Sequence, residues 1–203
     1  MKRFLYFIHA AVFAGFLFSA CSTNETTQSD WLIDNHAFVS TFRVSEDGKD
    51  LILSNGLVSR VFRVTPNLAT TGLYQLSTGQ NHIRATRPEG SIVVDGTVFN
   101  IGGLSGQPVQ NYLLPAWVDQ MVADPNSFQY GGHTTQPLQK RFEWAKRAEW
   151  LSLDAAWPPA GMELILRFDA PAASPVKGMT AYVHYEIYDG LPLMCKWITL
   201  ENQ

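Results

Sequence analysis

Residues 179–200 read Met-Thr-Ala-Tyr-Val-His-Tyr-Glu-Ile-Tyr-Asp-Gly-Leu-Pro-Leu-Met-Cys-Lys-Trp-Ile-Thr-Leu. Met179, Ala181, Val183, Tyr185 and Ile187 alternate with Thr180, Tyr182, His184, Glu186 and Tyr188. A period of two puts the first set on one face of a β-strand and the second on the other. Asp189-Gly190 then turns the chain into Leu191 to Leu200, so the stretch predicts a long antiparallel hairpin. A second hairpin is predicted for Ser91–Val94 and Thr97–Ile101, because Asp95-Gly96 supplies the positive φ angles of a two-residue turn.

Other segments agree. Leu51-Ile52-Leu53 leads into the turn signal Ser54-Asn55-Gly56, and Leu57 to Val64 alternates again. Met162, Leu164, Leu166 and Phe168 share one parity. Phe142 to Trp150 is ambiguous but favours a strand by parity. No window carries a convincing amphipathic helical stripe. Short strands, frequent turn residues and 11 Pro predict an all-β fold, an antiparallel sandwich.

The chain has 203 residues, 46% of them apolar and 16% charged. That excludes a disordered tail, a collagen-like fibre and a disulfide-stapled miniprotein. Met1-Lys2-Arg3 is a basic start, Phe4–Phe18 an apolar run too short to span a membrane, and Ser19-Ala20-Cys21 a cleavage site ending in a thiol. Leu17 to Cys21 resembles the bacterial lipobox. Residues 1–20 are therefore expected to be a lipoprotein signal peptide, Cys21 the lipidation site and residues 21–30 a polar tether. Residues 31–203 form the expected sandwich domain, held at the bacterial cell envelope, on the outer membrane or the periplasmic face.

Without Lys2 and Arg3 the balance is 13 basic against 18 acidic residues. No Lys/Arg cluster is present, which argues against a nucleic-acid partner. His36, His82, His133 and His184 lie at no ligand-like spacing, so no metal and no cofactor is expected. Cys195 reads as a small, buried hydrophobic residue. His184 reads as a surface or packing residue of its strand.

Gly102 to Pro137 reads as one long loop, and loops of that length are usually functional. It concentrates Tyr112, Trp117, Asp119, Tyr130 and His133. Sugar rings stack their C–H faces on aromatic side chains while polar neighbours hold hydroxyls, so these five are the candidate carbohydrate-binding residues. Trp117 and Trp157 read as loop residues and Trp144 and Trp150 as core. Asp119 and Asp124 form a weak candidate carboxylate pair.

Ile52-Leu53-Ser54-Asn55-Gly56-Leu57-Val58-Ser59-Arg60-Val61-Phe62 resembles the opening of the N-terminal β-sandwich of α-galactosidase-like (melibiase-like) glycoside hydrolases. His184 to Leu193, continuing through Lys196-Trp197 to Glu201-Asn202, resembles a later strand–turn–strand of that domain. The resemblance implies a galactose-mutarotase-like supersandwich, here incomplete. It also implies an accessory role beside a (β/α)₈ barrel that carries the catalytic carboxylates. No catalytic residue is carried over, and no catalysis is expected from this chain alone. The ending at Gln203, directly off a strand, is read as truncation of a larger product with its catalytic domain beyond. The competing expectation is a stand-alone lipoprotein that binds glycan or protein.

Overall fold

The computed structural model describes residues 30–145, 147 and 156–202. It is an all-β antiparallel sandwich. One sheet has the order β1 (Thr41–Val44), β2 (Asp50–Ser54), β3 (Val58–Arg63), β4 (Ala69–Gln75) and β5 (Gln80–Asn81). After it come the hairpin β6 (Gly90–Val94) and β7 (Thr97–Ile101), then one helical turn, α1 (Pro115–Val118). The second sheet contains β8 (Gln129–Pro137), β9 (Gly161–Asp169), β10 (Met179–Tyr188) and β11 (Met194–Asn202), in the order β11-β10-β9-β8.

The alternation seen in the sequence decides what is buried. Ala181, Val183, Tyr185 and Ile187 of β10 join Leu164, Leu166 and Phe168 of β9 in one core. Leu51, Leu53 and Phe62 come from the opposite sheet and Phe99 and Ile101 from the β6–β7 hairpin. At the predicted turn, Asp95 has φ 49° and Gly96 φ 77°, the doubly positive pair that a two-residue hairpin of this hand requires.

A polar side chain ties the two sheets at one end. Asn55 is 1% exposed. Its Oδ1 accepts from the backbone N–H groups of Leu57 and Val58, at 3.0 Å each. Its Nδ2 donates to the carbonyls of Tyr188 and Leu191, at 2.7 Å each. The β2–β3 turn is thus bonded to the β10–β11 turn. The chain ahead of β1 joins the same knot: Ser40 N–H donates to Asp189 Oδ1 at 2.7 Å, and Gly190 N–H donates to the Phe38 carbonyl at 2.7 Å.

The segment Gly102 to Pro137 is not one loop. It contains α1, and its last quarter is β8, which pairs with β9 from Gln129↔Asp169 to Pro137↔Met162. A bulge between Tyr130 and Gly132 absorbs one residue of mismatch. Phe142 is in a bend rather than a strand, and most of residues 146–155, including Trp150, lie outside the described residues. Residues 1–29, which hold the expected signal peptide and Cys21, also lie outside them.

Candidate functional site

The five sequence-predicted binding residues fall into two groups, and among the described residues no hydrogen bond or ring contact joins them. Tyr112 and Trp117 touch, with ring centroids 5.2 Å apart. Trp117 sits on α1, where it packs against a small second core of Ala69, Leu104, Val118 and Met121. It is a half-buried residue rather than a free loop residue, and Tyr112, 45% exposed, carries the open edge of the pair.

Asp119 follows α1 and is taken up by cations. It is bonded to Arg63 and lies 3.6 Å from Lys49, while Arg63 also pairs with Asp50 at 2.7 Å. The hydrogen bond from Arg63 and the nearby Lys49 hold the Asp119 carboxyl below its ordinary pKa. It therefore serves as a clamp between α1 and the first sheet, and makes a poor proton donor.

Tyr130 and His133 belong to β8, and His133 is a strand residue rather than a solvated loop residue. The Tyr130 hydroxyl lies 2.6 Å from His133 Nδ1. Burial pushes Tyr130 up to about 12 and pushes His133 down, so around neutral pH the hydroxyl donates to an unprotonated ring nitrogen. The His133 ring also packs on Phe42, at 5.0 Å. Closer to the start of the segment, Gly103, Gln107, Gln110 and Asp124 line a polar hollow of about 310 Å³.

The outer face of the second sheet carries a constellation that the sequence reading did not assemble. Glu163 and Glu186 stand directly opposite each other on β9 and β10. Like charges in that position repel, and each carboxylate is bonded to its own set of partners. Glu163 receives Gln136 Nε2 at 2.6 Å and lies 2.7 Å from His184 Nδ1. Glu186 receives Arg141 through Nε at 2.9 Å and a terminal nitrogen at 2.8 Å, and the Tyr188 hydroxyl at 2.7 Å. Each carboxylate oxygen of the pair already accepts a donor, so this is a closed network rather than an acid–base couple. Trp197 lies over it, stacked on His184 at 4.7 Å and 7° and contacted by the Arg141 guanidinium at 4.0 Å.

That network fixes the chain leaving β8. The two-pronged grip of Glu186 on Arg141 positions the next residues, Phe142 and Trp144. Phe142 is 50% exposed and Trp144 40% exposed, which corrects the core assignment of Trp144. Both rings meet Trp157, at 4.7 Å and 5.7 Å, and Trp157 Nε1 donates to the Phe142 carbonyl at 3.0 Å. The result is a three-ring apolar surface held from below by hydrogen bonds. The signal available in the sequence was the spacing Phe142-x-Trp144, which also fits a buried strand.

Buried between the sheets is a second charged group. Glu89 accepts from the Thr70 N–H at 2.9 Å and hydroxyl at 2.7 Å, from the Tyr185 hydroxyl, and from Lys196 Nζ at 2.8 Å. Arg60 lies 3.8 Å away, with its guanidinium over the Tyr185 ring at 4.6 Å. Burial alone would raise the Glu89 pKa, but Lys196 and Arg60 overcome it and hold the carboxyl below its ordinary value.

Among the described residues no three His, Cys, Asp or Glu side chains come together as metal ligands. No protein-family model, no curated protein and no solved structure matches this chain.

Proposed function

We propose that this chain is the glycan-binding, non-catalytic sandwich of a lipid-anchored bacterial glycoside hydrolase of the α-galactosidase-like kind, supporting a catalytic barrel. The observation that carries the binding role is the Phe142, Trp144 and Trp157 surface. Aromatic rings left open to water carry a hydrophobic cost, and here two large ones are exposed side by side. They are also held in place by hydrogen bonds from the Arg141–Glu186 network, so little ordering is lost when a sugar face settles on them. The resemblance of residues 52–62 and 184–202 to the sandwich of such enzymes supports the choice of partner.

The test is affinity electrophoresis of the chain through gels containing galactomannan or other galactose-bearing polysaccharides. Retardation is expected with at least one of them. Trp144→Ala should weaken it about tenfold, the lower end of ring-stacking energies, with an unchanged melting temperature. Equal retardation of the variant, or none for the unaltered chain, would overturn the reading.

A further inference from the structure

A cleft of about 470 Å³ opens beside the β10–β11 turn. It lies between β3 and β4 of one sheet and Pro192 and Met194 at the β10–β11 turn. We propose that it is a binding site for the carboxylate of an acidic monosaccharide, a uronate, with Arg60 as the group that receives it.

Arg60 lines this cleft, and its side chain is 17% exposed. Its Nε and one terminal nitrogen donate to the Thr70 hydroxyl, at 3.1 and 2.9 Å. The other terminal nitrogen donates to no protein atom among the described residues. The nearest carboxylate, Glu89, is closer to Lys196, at 2.8 Å, than to Arg60, at 3.8 Å. Two cations thus share one anion, and the group keeps one net positive charge beneath the cleft. Among the described residues no Asp or Glu lines the cleft to cancel it. A charge in partly dry surroundings with unused donors is a receptor for an anion, and the planar guanidinium fits a carboxylate. One net charge matches a monoanion rather than a doubly charged phosphate.

The rest of the lining fits a sugar. Gln75 and His82 line the cleft, and their side chains bond to no other described group, so they remain available to hydroxyls. Leu73 and Met194 supply apolar wall for a ring face. The volume falls within the about 300–1,000 Å³ usual for small-molecule sites. The cleft shares no residue with the Phe142, Trp144 and Trp157 surface, so either assignment can fail without the other.

The experiment is calorimetric titration of the full chain in detergent, at low ionic strength, with galacturonate, galactose and inorganic phosphate. Galacturonate should bind at least tenfold more tightly than galactose, about 1.4 kcal/mol, and more tightly than phosphate. Arg60→Gln leaves Glu89 paired with Lys196 and should reduce galacturonate to the level of galactose. Trp144→Ala should leave galacturonate binding unchanged. In the unaltered chain, galacturonate should shift the amide resonances of Leu73, Gln75 and His82 and spare the β6–β7 hairpin. Equal affinity for galactose, tighter binding of phosphate, loss of binding in Trp144→Ala, or shifts confined elsewhere would each overturn the assignment.

Discussion

Replacing Asn55 by alanine should remove more stability than any other single polar substitution at the turns. The side chain makes four hydrogen bonds, two within its own turn and two to the opposite sheet. Alanine leaves the N–H groups of Leu57 and Val58 and the carbonyls of Tyr188 and Leu191 without those partners. Leu57 is itself 5% exposed, so water reaches its N–H poorly. Each intramolecular hydrogen bond contributes about 0.5–1.5 kcal/mol net, and a buried group left unpaired costs about 1–3 kcal/mol. Allowing the outer carbonyls to recover water, the loss is about 3–5 kcal/mol. For a domain of this size that corresponds to a fall of about 6–20 °C in melting temperature. Urea unfolding, with the slope checked for constancy, measures it. Asn55→Asp is the sharper variant, because it keeps the Oδ1 acceptor but turns the Nδ2 donor into an oxygen facing two carbonyls. It should be at least as damaging as alanine. A cost below about 1 kcal/mol for alanine, or an aspartate variant close to wild type, would refute the account of Asn55 as the tie between the sheets.

Glu89→Gln should cost about 3 kcal/mol near neutral pH, since it strips Lys196 and Arg60 of their buried counter-charge. The folded carboxyl titrates below its unfolded value, so this contribution is fully present above the ordinary carboxylate range and disappears as pH falls through the lowered value. The gap between wild type and variant in urea midpoint should therefore narrow from pH 7 to pH 3. Gly102→Ala should prevent folding, because φ is +61° and a Cβ would stand 2.5 Å from the Leu68 carbonyl oxygen. Gly96→Ala, with φ +77° but open space around it, should cost only about 1 kcal/mol by thermal denaturation. Cys21→Ala should move the protein from the detergent phase to the aqueous phase in a phase-partition assay; equal partitioning would refute acylation.

The strands that were legible in the sequence are those with one apolar parity and a clear turn. β9, β10 and β11 qualify, as do the β6–β7 hairpin and the β2–β3 pair. β4 was not legible, because Ala69-Thr70-Thr71-Gly72 buries hydroxyls and a glycine where an apolar face is expected. Thr70 is buried because Glu89 accepts its hydroxyl, a partner nineteen residues away. β8 was hidden by Gly131-Gly132 and Pro137, residues that punctuate loops. An edge strand tolerates them, and among the described residues β8 pairs with β9 alone. Individual residues of the candidate sites could be read, but their companions could not. Glu89 and Lys196 meet across 107 positions, and no local pattern announces such a meeting. Asp119 was legible as an exposed acid, but its pairing with Arg63, 56 positions earlier, was not.

The knot at Asn55 also sets how the molecule carries mechanical load. The chain ahead of β1 is bonded at Ser40 and Phe38 to Asp189 and Gly190, the residues that turn β10 into β11. Asn55 then links that same turn to the start of β3. Tension applied through the N-terminal segment is delivered first to this junction and divided between both sheets at once. β1, a four-residue edge strand, is shielded from being peeled off alone. Rupture must begin by breaking several short hydrogen bonds together, which makes the sandwich stiffest at the end from which it would be pulled.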